Sequence, residues 1–131
     1  MINNDLDHFV VYKPQLRHQP GIFVTIGKTQ VRFSADVVKV FGTDHLLLFF
    51  DEGQQRILIQ PAKKGMVNAV KLSTSGRGSL SNTLVQKNVV NDIRNLGQFA
   101  DDEKAIVYGH KCMWAQCPSI IFNLKERKEE Q

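Results

Sequence analysis

Six basic side chains in a stretch without acidic residues are the groups in this sequence that most clearly suggest a chemistry. Residues 53–91 contain no Asp or Glu, and the whole chain has 17 Lys and Arg against 13 Asp and Glu. An uncompensated positive field attracts polyanions, and Lys and Arg are the side chains that neutralise phosphates. We therefore interpret the six as candidate contacts to the phosphate backbone of DNA or RNA, with a solvated basic surface as the alternative. They are Arg56, Lys63, Lys64, Lys71, Arg77 and Lys87.

The loop that contains Arg77 has the sequence Ser-Gly-Arg-Gly-Ser over residues 75–79. Glycines permit close backbone approach, and free N–H groups before a helix can bind a phosphate. The spacing matches neither a Walker loop nor a dinucleotide fingerprint. The loop is therefore either a flexible connector or a nonspecific contact to a nucleic-acid phosphate.

His110, Cys112 and Cys117 form the metal-like cluster of the sequence. A closed zinc site needs four ligands, and no fourth ligand is near in sequence, so we expect free, buried or half-buried thiols. Cys112 with His110 lacks an orienting group or an oxyanion donor, which a nucleophile–base pair would need. We therefore predict no catalytic residues, no bound metal, no cofactor and no enzymatic activity. Trp114, between the two cysteines, is expected in the core rather than on a base-stacking surface.

The apolar runs of this chain are too short to cross a bilayer. The longest is Leu46–Phe50, whereas a membrane-spanning helix needs about 20 apolar residues. The N-terminal residues lack the basic and apolar blocks of a signal peptide, and two cysteines do not make a disulfide framework. We expect a cytoplasmic protein with no membrane partner.

The apolar patterns predict an α+β fold, in which a curved antiparallel sheet carries one short and one longer helix. Ser34 is predicted to cap the short helix and Gly42 to end it. Ser81 is predicted to cap the longer helix, whose inward side chains would be Leu84, Val85, Val89, Ile93 and Leu96. Strands are predicted at 9–12, 22–26, 30–33, 45–50, 56–60, 69–72, 105–108 and 119–124, with a loop at 73–81. Residues 1–124 would form one domain, and 125–131 a charged, frayed tail.

The segment from Gln30 to Gly42 resembles the strand–helix element of the SpoVT/AbrB transcription factors and antitoxins. The hairpin with Gly53 in its loop, which returns through Arg56-Ile57-Leu58-Ile59-Gln60-Pro61, is similar to that family's closing strands. The resemblance covers about residues 24–61 and extends to small prophage proteins of unknown role. Ser34 and Val38 stand where the family usually has Pro and Arg. The resemblance implies a DNA-binding homodimer whose hairpins are swapped between two chains in one barrel.

These observations favour a small basic nucleic-acid-binding or regulatory protein, possibly encoded by a phage or prophage. The alternative is a phage-type inhibitor that binds a host protein of defence or replication instead of DNA. Positive charge argues against mimicry of a polyanion by such an inhibitor but allows direct docking on a host nucleic-acid-binding protein.

Overall fold

A computed structural model describes residue 10, residues 21–74 and residues 81–129 of the chain. The strand predicted at 9–12, apart from Val10, the loop at 75–79 and Arg77 lie outside the described residues. The described residues form two helices, α1 (Ala35–Phe41) and α2 (Lys87–Leu96), and a 3-10 turn (Leu124–Glu126). They also form ten strands: β1 (Phe23–Ile26), β2 (Val31–Phe33), β3 (His45–Asp51), β4 (Arg56–Pro61), β5 (Val70–Lys71), β6 (Ser73–Thr74), β7 (Ser81–Leu84), β8 (Ala105–Trp114), β9 (Cys117–Asn123) and β10 (Lys128–Glu129).

The strands make one antiparallel sheet in the order β5-β3-β4-β9-β8-β1-β2-β7-β6, and β10 pairs with the start of β8. Strands β5 and β6 lie at opposite edges of this sheet, yet only Leu72 separates them in the chain. The sheet therefore curves into a nearly closed barrel. Leu72 is fully buried at the junction, and its N–H donates to the Asp44 carbonyl at 2.7 Å. The predicted α+β class with a curved antiparallel sheet is confirmed.

The β3–β4 hairpin is paired on both sides within the chain. Strand β3 pairs with β5, and β4 pairs with β9. The barrel interior holds the inward-facing apolar side chains of these strands and their neighbours. The largest of the fully buried side chains are Phe122, Ile26, Leu46, Ile59, Leu72, Leu84, Ile93, Ile120 and Leu124.

Strand β8 is longer than the predicted strand 105–108. Its first residues pair with β1, and the part from Gly109 to Trp114 pairs with β9. A Cβ at Gly109 would come within 2.6 Å of the Phe122 ring and 2.8 Å of Ile120. Glycine at this position therefore allows the strand to continue against the core instead of ending it, which is why the sequence prediction stopped too early.

The predicted start of the longer helix is wrong. Ser81 is not its cap, because Ser81–Leu84 form β7, in which Leu84 pairs with Val31 of β2. Helix α2 begins at Lys87, and Val85 is 49% exposed. Val90 takes the inward position together with Ile93 and Leu96. Strand pairing overrides the helical periodicity that Leu84 and Val85 had suggested.

Helix α1 is confirmed, but the predicted capping bond of Ser34 is not made. The Ser34 Oγ accepts from the Phe23 N–H at 3.1 Å and donates to the Gly21 carbonyl at 2.8 Å, which ties the helix to β1. Gly42 ends the helix in the left-handed conformation, with φ of 67°, and its N–H donates to the Val38 carbonyl. Glycine adopts this conformation without a Cβ clash.

The described part of the segment predicted to be a frayed tail, residues 125–129, is held against the barrel, and residues 130–131 lie outside the described residues. Lys125 lies in the 3-10 turn, and Lys128 and Glu129 pair with β8. Arg127 donates to the Glu103 carboxylate at 2.6 Å and to the Gly97 carbonyl at 2.9 Å. These bonds attach residues 125–129 to the loop after α2.

Candidate functional site

Three of the predicted cations flank the first residue of β3. Lys71 of β5 lies directly opposite His45, and on the other side the Ala62 N–H donates to the His45 carbonyl at 2.8 Å. Lys63 and Lys64 follow Ala62 in an exposed turn. Because neighbouring strands are about 4.8 Å apart, this arrangement places Lys71 and the Lys63–Lys64 pair about 10 Å apart.

Lys87 joins this group through Gln86, whose Nε2 donates to the Lys71 carbonyl at 3.3 Å. All four lysines are exposed, and within residues 21–74 and 81–129 none of them forms a salt bridge. We call the four lysines 63, 64, 71 and 87 the lysine rim. Asp44 precedes His45 in the chain, and its carboxylate lies 2.7 Å from Nδ1 of His45.

Arg56 does not belong to the rim. Arg56 begins β4, and by strand geometry the other end of that strand is roughly 17 Å away. Lys63 lies beyond that other end. Its Nε and Nη2 donate to Oδ2 of Asp51 at 3.1 and 2.7 Å, and this hydrogen bonding lowers the pKa of Asp51 below its usual value. The charge of Arg56 was expected to be uncompensated, but Asp51 compensates it. Asp51 lies just outside the acid-free stretch but faces Arg56 across the hairpin.

Trp114 is not a core residue. It is 48% exposed, and its ring centroid lies 4.9 Å from that of Phe49. The two rings border an open cleft of about 240 Å³ on the outer face of the barrel. The other residues that line this cleft are Phe50, Asp51, Arg56, Leu58 and Ile121.

A network of hydrogen bonds around the buried Gln60 side chain attaches the β8–β9 turn to the outer face of the barrel. The Gln60 side chain is buried, and its Nε2 donates to the Trp114 carbonyl and to the Ser119 Oγ, both at 3.0 Å. The Ser119 hydroxyl in turn donates to the Cys117 carbonyl at 2.9 Å. The hydrogen bond to its carbonyl therefore fixes Trp114 at the surface. The apolar periodicity of the sequence does not reveal this contact.

Cys112 and Cys117 are half-buried free thiols on adjacent strands. Cys112 lies opposite Ser119, and Cys117 lies opposite Trp114, so the two cysteines are diagonal neighbours. Diagonal pairs are about 7 Å apart, which is wider than a disulfide spans. In the part of the chain that the structure describes, no group of three or more His, Cys, Asp or Glu side chains could hold a metal ion.

Comparisons with known proteins add no further constraint on this site. The chain matches no protein-family model, no curated protein and no solved structure. Within the described residues, neither helix is long and apolar enough to cross a membrane.

Proposed function

We propose that this chain binds the phosphate backbone of DNA or RNA through the lysine rim. The observation that carries the proposal is the convergence of four exposed lysines from three segments, without a salt bridge among the described residues. Each ammonium group offers three donors on a flexible stem, which suits contact with phosphates of variable position.

The same chemistry predicts the kind of recognition. Lysine–phosphate contacts position a protein on nucleic acid and do not read the bases. Binding is expected to be independent of sequence and to weaken steeply as salt is added, because each contact releases condensed counterions. If the protein has a regulatory role, its sequence specificity would then have to come from its location in the cell or from a partner protein.

The test is fluorescence anisotropy of labelled 30-nucleotide DNA and RNA, single-stranded and duplex, titrated with the wild-type chain at low salt. Replacement of all four rim lysines by Gln should weaken binding by at least about tenfold. A charge-matched control removes four other exposed lysines by substitution with Gln and should retain most of the affinity. The control positions are Lys39, Lys111, Lys125 and Lys128. No binding by the wild-type chain at low salt would contradict the proposal.

A second candidate function is protein binding at the turn between β8 and β9. Met113 is 68% exposed and Trp114 is 48% exposed, and exposed apolar side chains of this size are typical of protein contact sites. The partner would be a host nucleic-acid-binding protein, as in the inhibitor hypothesis, or a second copy of the chain, as the SpoVT/AbrB resemblance implies.

Light scattering at micromolar concentrations separates these partners. A homodimer gives twice the chain mass, and Met113→Asp should shift it to the monomer if the turn forms the interface. A dimer that Met113→Asp leaves intact would exclude the turn as its interface. A monomer at every concentration would remove the homodimer and leave the host protein as the candidate partner.

A further inference from the structure

A second group of cations surrounds a shallow hollow at the turn between β1 and β2. The hollow has a volume of about 390 Å³, and three of its lining residues are positively charged while none of those described is acidic. We call it the cation hollow. It is lined by Thr25, Gly27, Lys28, Thr29, Gln30, Arg32 and Lys104.

Three separate segments contribute these side chains. Thr25 of β1 lies directly opposite Arg32 of β2, on the outer face of the barrel. The Gly27 N–H donates to the Gln30 carbonyl at 2.9 Å and closes the turn that carries Lys28. Lys104 immediately precedes Ala105, which pairs with Ile26. Lys104 therefore meets Lys28 and Arg32 only in the folded chain, and this group could not be predicted from the sequence.

Arg94 holds the two sides of the hollow together from below. Its side chain is buried, and Nη1 donates to the carbonyls of Gly27 and Glu103, both at 2.8 Å. Nη2 donates to the Ala100 carbonyl at 2.6 Å. Arg94 thus links the turn that carries Lys28 to the loop that carries Lys104.

Arg94 has a structural role beneath the hollow, and it is not counted among the donors that could contact an anion there. Its partners are carbonyl oxygens, and within the described residues it forms no salt bridge. The Glu103 carboxylate is bound by Arg127, and Asp101 and Asp102 lie in the exposed turn before it. Lys28, Arg32 and Lys104 are all exposed, so their donors can reach an anion in the hollow.

The donor set fits a phosphate group. Arg can donate two parallel bonds to phosphate oxygens, lysines add point charge, and threonine hydroxyls donate to the remaining oxygens. The hollow is wide and open compared with a single phosphate, so the ligand is expected to continue beyond it. A phosphodiester chain has this property.

We infer that the cation hollow binds a phosphate group of the same nucleic acid that the lysine rim contacts. Lys87 of the rim lies at the same end of β2 and β7 as the hollow, because Val31 beside the hollow pairs with Leu84, and Lys87 follows Leu84 by three residues. From β8 across β1, β2 and β7 to β6 is four strand spacings, or about 19 Å, which spans several nucleotides. The choice of ligand rests on the proposed function, whereas the anion site itself does not.

The experiment has two arms, each with the full chain. In the first, ¹H–¹⁵N spectra are recorded during titration with inorganic pyrophosphate, and shifts are expected at the amides of Lys28, Thr29 and Lys104. In the second, anisotropy measures binding of the 30-nucleotide DNA. The hollow variant combines Lys28→Gln, Arg32→Gln and Lys104→Gln, and the charge-matched control combines Lys39→Gln, Lys111→Gln and Lys125→Gln. All six positions are exposed, so both variants should keep the wild-type melting temperature.

The inference predicts that the hollow variant loses the pyrophosphate shifts and binds DNA at least about tenfold more weakly than the control. Equal DNA affinity of the hollow variant and the control would overturn the inference, even if the rim variant fails to bind. If the wild-type chain binds pyrophosphate in the hollow but no nucleic acid, the proposed function fails and the hollow remains a phosphate site for another ligand.

Discussion

Arg94 and the lysines of the rim carry the same formal charge, but their surroundings differ in every respect. Arg94 is buried and donates to the carbonyls of Gly27, Ala100 and Glu103. The rim lysines are exposed and have no salt-bridge partner among the described residues. The first kind of charge holds loops together, and the second is free for a ligand. A count of basic residues cannot separate the two kinds.

Two other arginines lie between these extremes. Arg127 binds the Glu103 carboxylate with partly buried side chains on both sides, and its guanidinium carbon lies 4.3 Å from the Phe99 ring centroid. Arg56 binds Asp51 at a more exposed position. The loss of unfolding free energy on substitution should therefore be largest for the apolar interior. It should be smaller for Arg94, smaller again for Arg127, and smallest for Arg56 and the rim lysines.

The largest effect is expected when a charge is placed inside the barrel. Val90→Asp would bury an unpaired carboxylate among apolar side chains and should cost about 4 kcal/mol of unfolding free energy. Val85→Asp, five residues earlier and 49% exposed, should change it by less than about 0.5 kcal/mol. Urea denaturation of both variants measures the difference. Equal stabilities would mean that α2 does not present Val90 to the core.

Arg94→Gln is expected to have the next largest effect. It removes the donors of four carbonyl groups in a part-buried region and should cost about 3 kcal/mol. Arg94→Lys should recover only part of this loss, since one ammonium cannot reproduce the planar fork. The control Asn91→Ala changes an exposed position of the same helix and should be close to neutral. Full stability of Arg94→Lys would show that charge alone, rather than geometry, matters here.

The Glu103–Arg127 pair should give an acid-dependent effect. The hydrogen bond from Arg127 is the main cause that lowers the pKa of Glu103 below 4.5, and the Ala100 N–H adds to it. A lowered pKa contributes stability that is present above pH 4.5 and is lost as the pH falls through the folded-state pKa. Glu103→Gln should reduce the loss of melting temperature between pH 5 and pH 3. An unchanged acid profile would contradict this role of the pair.

The smallest stability effects are expected for surface charges. Arg56→Gln breaks an exposed ion pair and should lower the melting temperature by less than Arg94→Gln does, because solvent screens such pairs. The rim variant with four Gln substitutions should keep the wild-type melting temperature. Thermal denaturation monitored by circular dichroism ranks these variants. Destabilisation by the rim variant would mean that the fold uses these lysines.

Local patterns predicted much of this fold. Helix α1 and its Gly42 terminus follow from short-range spacing, and the β3–β4 hairpin follows from two β-rich runs around Gly53. The boundary between β7 and α2 could not be predicted in this way, because it depends on the pairing of Leu84 with Val31. The continuation of β8 past Gly109 depends likewise on contact with Phe122.

The candidate site was less predictable than the fold. The Arg56–Asp51 pair could have been anticipated, since the hairpin register places the two residues opposite each other. The rim required knowledge that β5 and the end of β4 both flank His45. The cation hollow required the approach of Lys104 to the β1–β2 turn, which Arg94 secures. Such long-range contacts leave no local signal in the sequence.

The salt dependence of DNA binding tests the central claim, that the fold uses some charges and leaves others for a ligand. The slope of log affinity against log salt reports the number of phosphates neutralised, at about 0.9 per contact on duplex DNA. In the rim variant the magnitude of this slope should decrease by about 3 to 4. Arg56→Gln should leave the slope unchanged, because the charge of Arg56 is already paired with Asp51. If Arg56→Gln decreases the magnitude of the slope by about 0.9, which is the change expected for the loss of one rim lysine, the claim is contradicted.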